Sequence, residues 1–266
     1  MSSFRTIELS DPSYETGGLR FLTVKTPNLK GRGDICLYVP PTARKDGPLP
    51  IYILLHGVYG SAWAWAMKGG AAQTAQRLMQ TGSMQPAIIA MPSDGLWGDG
   101  SAYFAHHGFN FEQWIIHDVP QAIIENIPEA DKQASLCIGG LSMGGYGALC
   151  LGMKHPEKFK AISAHSSITK LEQMSQFVEE PLEAYASFTH LPDVLDIAQK
   201  QENPLPPLRF DCGVQDNLLD ANRLLHQQLS DLDIPHTYEE FAGGHEWPYW
   251  QKQVQKTFSF FDQHCS

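Results

Sequence analysis

Short, nearly unbroken apolar runs constrain this chain most: "PIYILLHG", "PAIIAMPSDG" and "ASLCIGG", with the more mixed "FKAISAHSS" and "PPLRFDCG" reading as a fourth and fifth strand. Runs of this length with no polar face read as strands covered on both sides, as in a mostly parallel sheet. "HTYEEFAGG" adds a sixth. Segments with helical spacing lie among them: "AWAMKGGAAQTAQRLMQTG", closing at Gly82, and "NFEQWIIHDVPQAIIENIP", with Pro120 as an expected kink. "GGYGALCLGMKHPE", "NLLDANRLLHQQLSDL" and the closing "WQKQVQKTFSFFDQH" complete the set. Ahead of all of these, "GLRFLTVKT" and "GDICLYVPP" alternate with period two, which predicts an antiparallel hairpin at one sheet edge. The expectation is an α/β fold over residues 1–266 as a single domain, with a central sheet and helices on both faces. One stretch, 169–206, carries no strand pattern and is long for a connector, so it is expected to be a helical, lid-like insertion.

Charge and cysteine content exclude several roles. A formal charge of −10 disfavours nucleic acid and anionic membrane as partners, and no basic cluster interrupts it. No apolar run reaches the ~18 residues of a membrane-spanning helix. The opening "MSSFRTIELSDPSYETGG" is polar and lacks the apolar core of a secretory signal, so a cytoplasmic location is expected. Cys36, Cys137, Cys150, Cys212 and Cys265 are odd in number and form no C-x-x-C pair. They read as reduced core thiols, and no zinc site, other metal or cofactor is expected.

The chemistry concentrates in "ASLCIGGLSMGGYGALC", where Ser142 is hemmed in by Gly139, Gly140, Gly144 and Gly145. Gly140-Leu141-Ser142-Met143-Gly144 matches G-x-S-x-G, with a strand before it and a helix after. Glycines there let the backbone turn sharply and hold the hydroxyl exposed at the tip, with helix N-terminal amides behind it. A serine nucleophile needs a base and an orienting carboxylate, in the order serine, acid, histidine on this scaffold. Of the seven histidines after Ser142, His245 in "AGGHEW" alone follows a strand on a glycine-rich loop. His155 sits at a helix end, His226 within a helix, His236 at a strand start and His264 in the tail. For the acid, Asp216 lies past the end of "LRFDCG", whereas Asp211 is inside it; Asp216 is the choice, with Asn217 and Asp220 as rivals. The oxyanion amides are assigned to Met143 and to Val58 in "LLHGVYGS", Gly57 remaining an alternative to Val58.

"ILLHGVYGS", "GLSMGGYGAL", "CGVQDNLLDANRLLHQQL" and "GGHEWPYW", in that order, resemble the "Putative esterase" family of α/β-hydrolases, which includes esterase D (S-formylglutathione hydrolase), tributyrin, feruloyl esterases and mycolyltransferases. The resemblance runs from the third strand to the end and is most specific in S-M-G-G-Y-G and in Gly244, His245, Trp247 and Trp250. It implies the α/β-hydrolase fold. It also implies Ser142, Asp216 and His245 as nucleophile, acid and base, and dimers or tetramers as homo-oligomeric states.

Trp63, Trp65, Trp97, Tyr103, Phe104 and Trp247 fall near expected strand ends, and Trp97 and Trp247 are the choices for lining a substrate pocket. Asp94 and Asp99 read as turn residues, and the adjacent His106 and His107 point different ways on a strand, a poor metal site. The expected activity is hydrolysis of small or short-chain acyl esters through an acyl-enzyme. The rivals are an acyltransferase, an S-formylglutathione-type thioesterase, and a binding protein that has lost turnover.

Overall fold

The apolar runs pair side by side in one sheet of nine strands. A computed structural model describes residues 2–41, 47–185 and 193–265. The strands of this sheet are β1 (Ile7–Leu9), β2 (Leu19–Thr26), β3 (Gly31–Tyr38), β4 (Ile51–Leu55), β5 (Ile88–Pro92), β8 (Leu136–Leu141), β9 (Phe159–His165), β10 (Leu208–Gly213) and β11 (Thr237–Phe241). Two further strands, β6 (Ala105–His106) and β7 (Phe109–Asn110), form a separate small hairpin. The sheet order is β1-β2-β3-β5-β4-β8-β9-β10-β11. From β5 to β11 every pairing is parallel, and β1, β2 and β3 form the antiparallel edge.

Period-two alternation explains why the runs are apolar throughout. Ile51, Ile53 and Leu55 of β4 enter one core, while Tyr52 and Leu54 enter the other. Ile88 and Ala90 of β5 part from Ile89 and Met91 in the same way. The helices are α1 (Ala71–Gln80), the short α2 (Phe111–Gln113), α3 (Val119–Asn126), α4 (Met143–Lys154), α5 (Val194–Lys200), α6 (Leu219–Asp231) and α7 (Trp247–His264). Residues of α1 and α7 close one core; residues of α3, α4, α5 and α6 close the other.

Three elements depart from expectation. The helix expected from Ala64 breaks: a wide turn at Ala64–Lys68 ends in Gly69, and α1 starts afresh after Gly70 at φ 63°. Around Pro120 the helix does not end; a wide-turn stretch at Trp114–Asp118 precedes α3, and the proline, which has no N–H to give, falls in the first turn of α3. Within 169–206 the helices are short, two 3₁₀ turns (Leu171–Gln176 and Leu182–Tyr185) and α5; residues 186–192 of that expected lid lie outside the described residues.

Candidate active site

Ser142 stands between β8 and α4 with φ 54° and ψ −119°, a region that L-residues avoid. The fold holds it there by close approach. A Cβ on Gly144 would lie 2.3 Å from the Leu55 carbonyl oxygen, and one on Gly140 2.2 Å from that of Gly144. No side chain fits at either position, so the helix start packs directly on the end of β4. The Ser142 amide is paired to the His165 carbonyl at 2.9 Å.

The three residues chosen from sequence meet. Ser142 Oγ lies 2.9 Å from His245 Nε2. His245 Nδ1 lies 3.0 and 3.1 Å from the two carboxylate oxygens of Asp216. A carboxylate accepts only, so Nδ1 carries the proton and Nε2 is left to accept from the hydroxyl. Asp216 is itself buried and takes the Leu218 amide at 2.8 Å on Oδ1. The rival Asp211 belongs to another network beneath the sheet end. It pairs with His165 Nδ1 at 2.9 Å, Arg209 at 2.7 Å and the Tyr249 hydroxyl at 2.7 Å. Complete burial works against the Asp211 carboxylate, yet His165 and Arg209 hold it below the usual aspartate range.

Val58 and Met143 flank Ser142. Val58 lines the cavity above the serine, and Met143 opens α4, where amides have no partner within the helix. The Asp94 amide donates to His56 Nε2 at 3.1 Å, so the His56 proton sits on Nδ1 and donates to the Gly57 carbonyl at 2.7 Å. The Tyr103 hydroxyl donates to the His56 carbonyl at 2.9 Å. With the Gly57 carbonyl turned onto the imidazole, the Val58 N–H of the same trans peptide points the opposite way. Asp94 is a turn residue, receiving the amides of Leu96 and Ser101 at 2.9 and 2.7 Å.

A cavity of about 560 Å³ opens over Ser142 and His245, walled by Tyr59, Trp63, Phe177, Trp247 and Trp250. Trp247 is where it was expected. Trp97 is not among the lining residues: its ring packs on His106, His107 and Tyr185, centroids 4.5 to 5.5 Å away. The Asp94 turn faces its tryptophan toward the small β6–β7 hairpin instead of the serine. Trp65, Tyr103 and Phe104 are core residues. Three wall residues, Tyr59, Trp250 and Phe177, were not assigned to the cavity from sequence. Trp250 meets the His245 ring edge-on at 5.0 Å, and its place one turn after Trp247 in "HEWPYW" was the available sign. Phe177 stacks on the other side of His245, centroids 5.2 Å apart at 23°, and nothing in its local sequence marks it. The Tyr59 hydroxyl donates to the Phe177 carbonyl, and reciprocal bonds tie the segment down: Asp99 N–H to Glu180 at 3.1 Å and Glu179 N–H to Asp99 at 2.8 Å.

A larger cleft, about 770 Å³, shares no lining residue with the cavity over Ser142, and Glu15 and Glu129 in it both pair with Arg20. Among the described residues, no three His, Cys, Asp or Glu side chains gather as metal ligands, and no helix is long and apolar enough to cross a membrane.

Parallel sheet, strained serine turn and histidine loop together define an α/β-hydrolase, and solved structures share that fold. A ferulic acid esterase superposes with a TM-score of 0.78 at 22% identity, over 99% of this chain and 100% of that one. An S-formylglutathione hydrolase from Staphylococcus aureus gives 0.76 at 19% identity, over 96% and 99%. The "Putative esterase" family matches residues 26–261, and the chain belongs to that family of serine ester hydrolases. An acetyl esterase from Caldicellulosiruptor saccharolyticus is 28% identical over 229 residues, 79% of this chain and 82% of that protein. An S-formylglutathione hydrolase from Paracoccus denitrificans is 28% identical over 144 residues, half of each chain.

Proposed function

We propose that the protein is a carboxylesterase for small, short-chain acyl esters, with Ser142, His245 and Asp216 as its catalytic triad. The observation that carries this is the unbroken chain of hydrogen bonds from Asp216 through His245 to Ser142 Oγ, at the floor of an aromatic-walled cavity. Ser142 Oγ attacks the acyl carbon as its proton passes to His245 Nε2. Asp216 holds the imidazole in the required tautomer and stabilises the imidazolium. The amides of Val58 and Met143 receive the developing oxyanion, an arrangement supported by the His56-anchored Gly57 peptide. His245 then protonates the leaving alcohol and activates a water that clears the acyl-enzyme. No step draws on a metal or organic cofactor.

Oxoesters are favoured over thioesters on sequence: the acetyl esterase aligns over most of both chains, whereas the Paracoccus denitrificans S-formylglutathione hydrolase aligns in sequence over half, the fold itself being common to both kinds. The test is turnover of p-nitrophenyl esters, acetate through octanoate, by wild type and Ser142→Ala, with and without a chelator. The expected result is fastest turnover of the short esters, indifference to chelator, and a loss of kcat in the variant of at least ~10⁴-fold. An unchanged rate in Ser142→Ala would refute the assignment of the nucleophile. Product partition to an added alcohol would mark an acyltransferase.

A further inference from the structure

Five cysteines scattered through the sequence include two that the fold brings together. Cys137 Sγ, near the start of β8, lies 2.8 Å from Cys265 Sγ, at the C-terminal end of α7, 128 positions away. That separation is less than 1 Å beyond a disulfide bond, which is about 2.0 Å long. The approach follows from how α7 runs. Its N-terminal residues Trp247 and Trp250 wall the cavity, and from there it descends across the sheet; a Cβ on Gly139 of β8 would meet Phe261 at 3.1 Å. Phe261 in turn meets Tyr52 of β4 edge-on at 5.2 Å. The last residue of this descent therefore reaches the end of β8 opposite Ser142.

We propose that Cys137 and Cys265 are an oxidation site, closed by a hydroperoxide into a disulfide that staples the end of α7 to β8. Cys265 is 8% exposed and Cys137 is 0%, so peroxide meets Cys265 first. The Cys265 thiolate attacks one peroxide oxygen and the O–O bond breaks, giving a sulfenic acid and, with one proton, water. The Cys137 sulfur then attacks the Cys265 sulfur, the S–O bond breaks, and the thiol proton leaves with the hydroxyl as a second water. Two thiols lose two electrons and two protons; one hydrogen peroxide becomes two waters. Burial and the neighbouring Cys265 push the Cys137 thiol far up.

Two consequences separate this site from the ester chemistry. The cross-link closes a long loop in the unfolded chain, so it raises Tm, by roughly 5–15 °C for a loop of this length and a protein of this size. It lies at the far end of β8 from Ser142, so kcat stays within about twofold. The experiment treats the full chain with hydrogen peroxide or with a phosphine reductant. It then compares intact mass, non-reducing peptide maps, Tm and p-nitrophenyl acetate turnover for wild type and Cys265→Ser. Cys265→Ser is the variant of choice because Cys265 keeps 8% exposure, whereas Cys137 has none and a hydroxyl there would be buried in the sheet.

The expected result is a 2 Da loss, a single peptide pair joining Cys137 to Cys265, a higher Tm than the reduced form and unchanged turnover. Cys265→Ser should show none of the stability difference. Five titratable thiols after oxidation, a cross-link between other cysteines or between two chains, sulfinic acid at Cys265 without a linked partner, or equal Tm values would each overturn the proposal.

Discussion

At the scale of single residues, the site rests on positions where one atom decides. Gly144→Ala would place a methyl 2.3 Å from the Leu55 oxygen, so the turn at Ser142 must open. The expected outcome is a fall in kcat of at least ~10²-fold, as expected for a misplaced reacting group, with far-UV circular dichroism unchanged. The two candidate acids separate cleanly. Asp216→Asn keeps an oxygen for the Leu218 amide but presents the wrong tautomer to His245, so kcat should drop about 10⁴-fold. Its Tm should move by no more than about 2 °C. Asp211→Asn removes the buried anion that Arg209 and His165 share, leaving Arg209 only the partly exposed Glu239 at 3.1 Å, which should cost about 3–5 kcal/mol in denaturant unfolding. Its per-molecule rate should change far less than that of Asp216→Asn; the reverse ranking would exchange the roles of the two aspartates.

At the scale of elements, the strap at 177–180 is held over His245 by three polar ties and one ring stack. Removing the ring with Phe177→Ala should lower kcat/KM for p-nitrophenyl butyrate roughly three- to tenfold, the worth of one aromatic stack, with Tm shifted by less than about 2 °C. A large Tm loss with unchanged kinetics would make Phe177 a packing residue only. This element also marks where sequence reading ran out. The central parallel strands β4, β5 and β8 were legible because each is apolar on both faces, and the residues proposed as a triad were legible because strand ends and glycine loops are local features. β1 is three mostly exposed residues, and β6 and β7 are two residues each, too short to show a period. The break before α1 hid inside a helical pattern that Gly69 and Gly70 interrupt. Phe177, Trp97 and the two thiols depend on which distant segments meet, and spacing along the chain carries no record of that.

At the scale of the whole molecule, three carboxylates titrate as one acid liability. Burial opposes the charge on Asp211, Glu112 and Glu239. His165 and Arg209, His155 and Lys154, and Lys256 and Arg209 respectively outweigh it, so all three titrate below their ordinary values. A carboxylate depressed in the folded state adds stability above its unfolded value and loses it as pH falls through the folded one. Tm should therefore hold from pH 7 to about 5 and fall steeply below about 4. Asp211→Asn should flatten that descent, and an equally steep fall in the variant would move the liability elsewhere.

The sheet order carries a further consequence, one of timing. β4 lies between β5 and β8, and β5 follows it closely while β8 begins 81 positions after Leu55. Ribosomes add about 5–20 residues per second, so roughly 4–16 seconds pass before β4 can gain its second neighbour. For that interval the nascent chain presents Ile51–Leu55, wholly apolar, along an unpaired edge. A message that slows translation between these two strands would lengthen the window in which the half-built sheet can join another chain, and a faster one would shorten it.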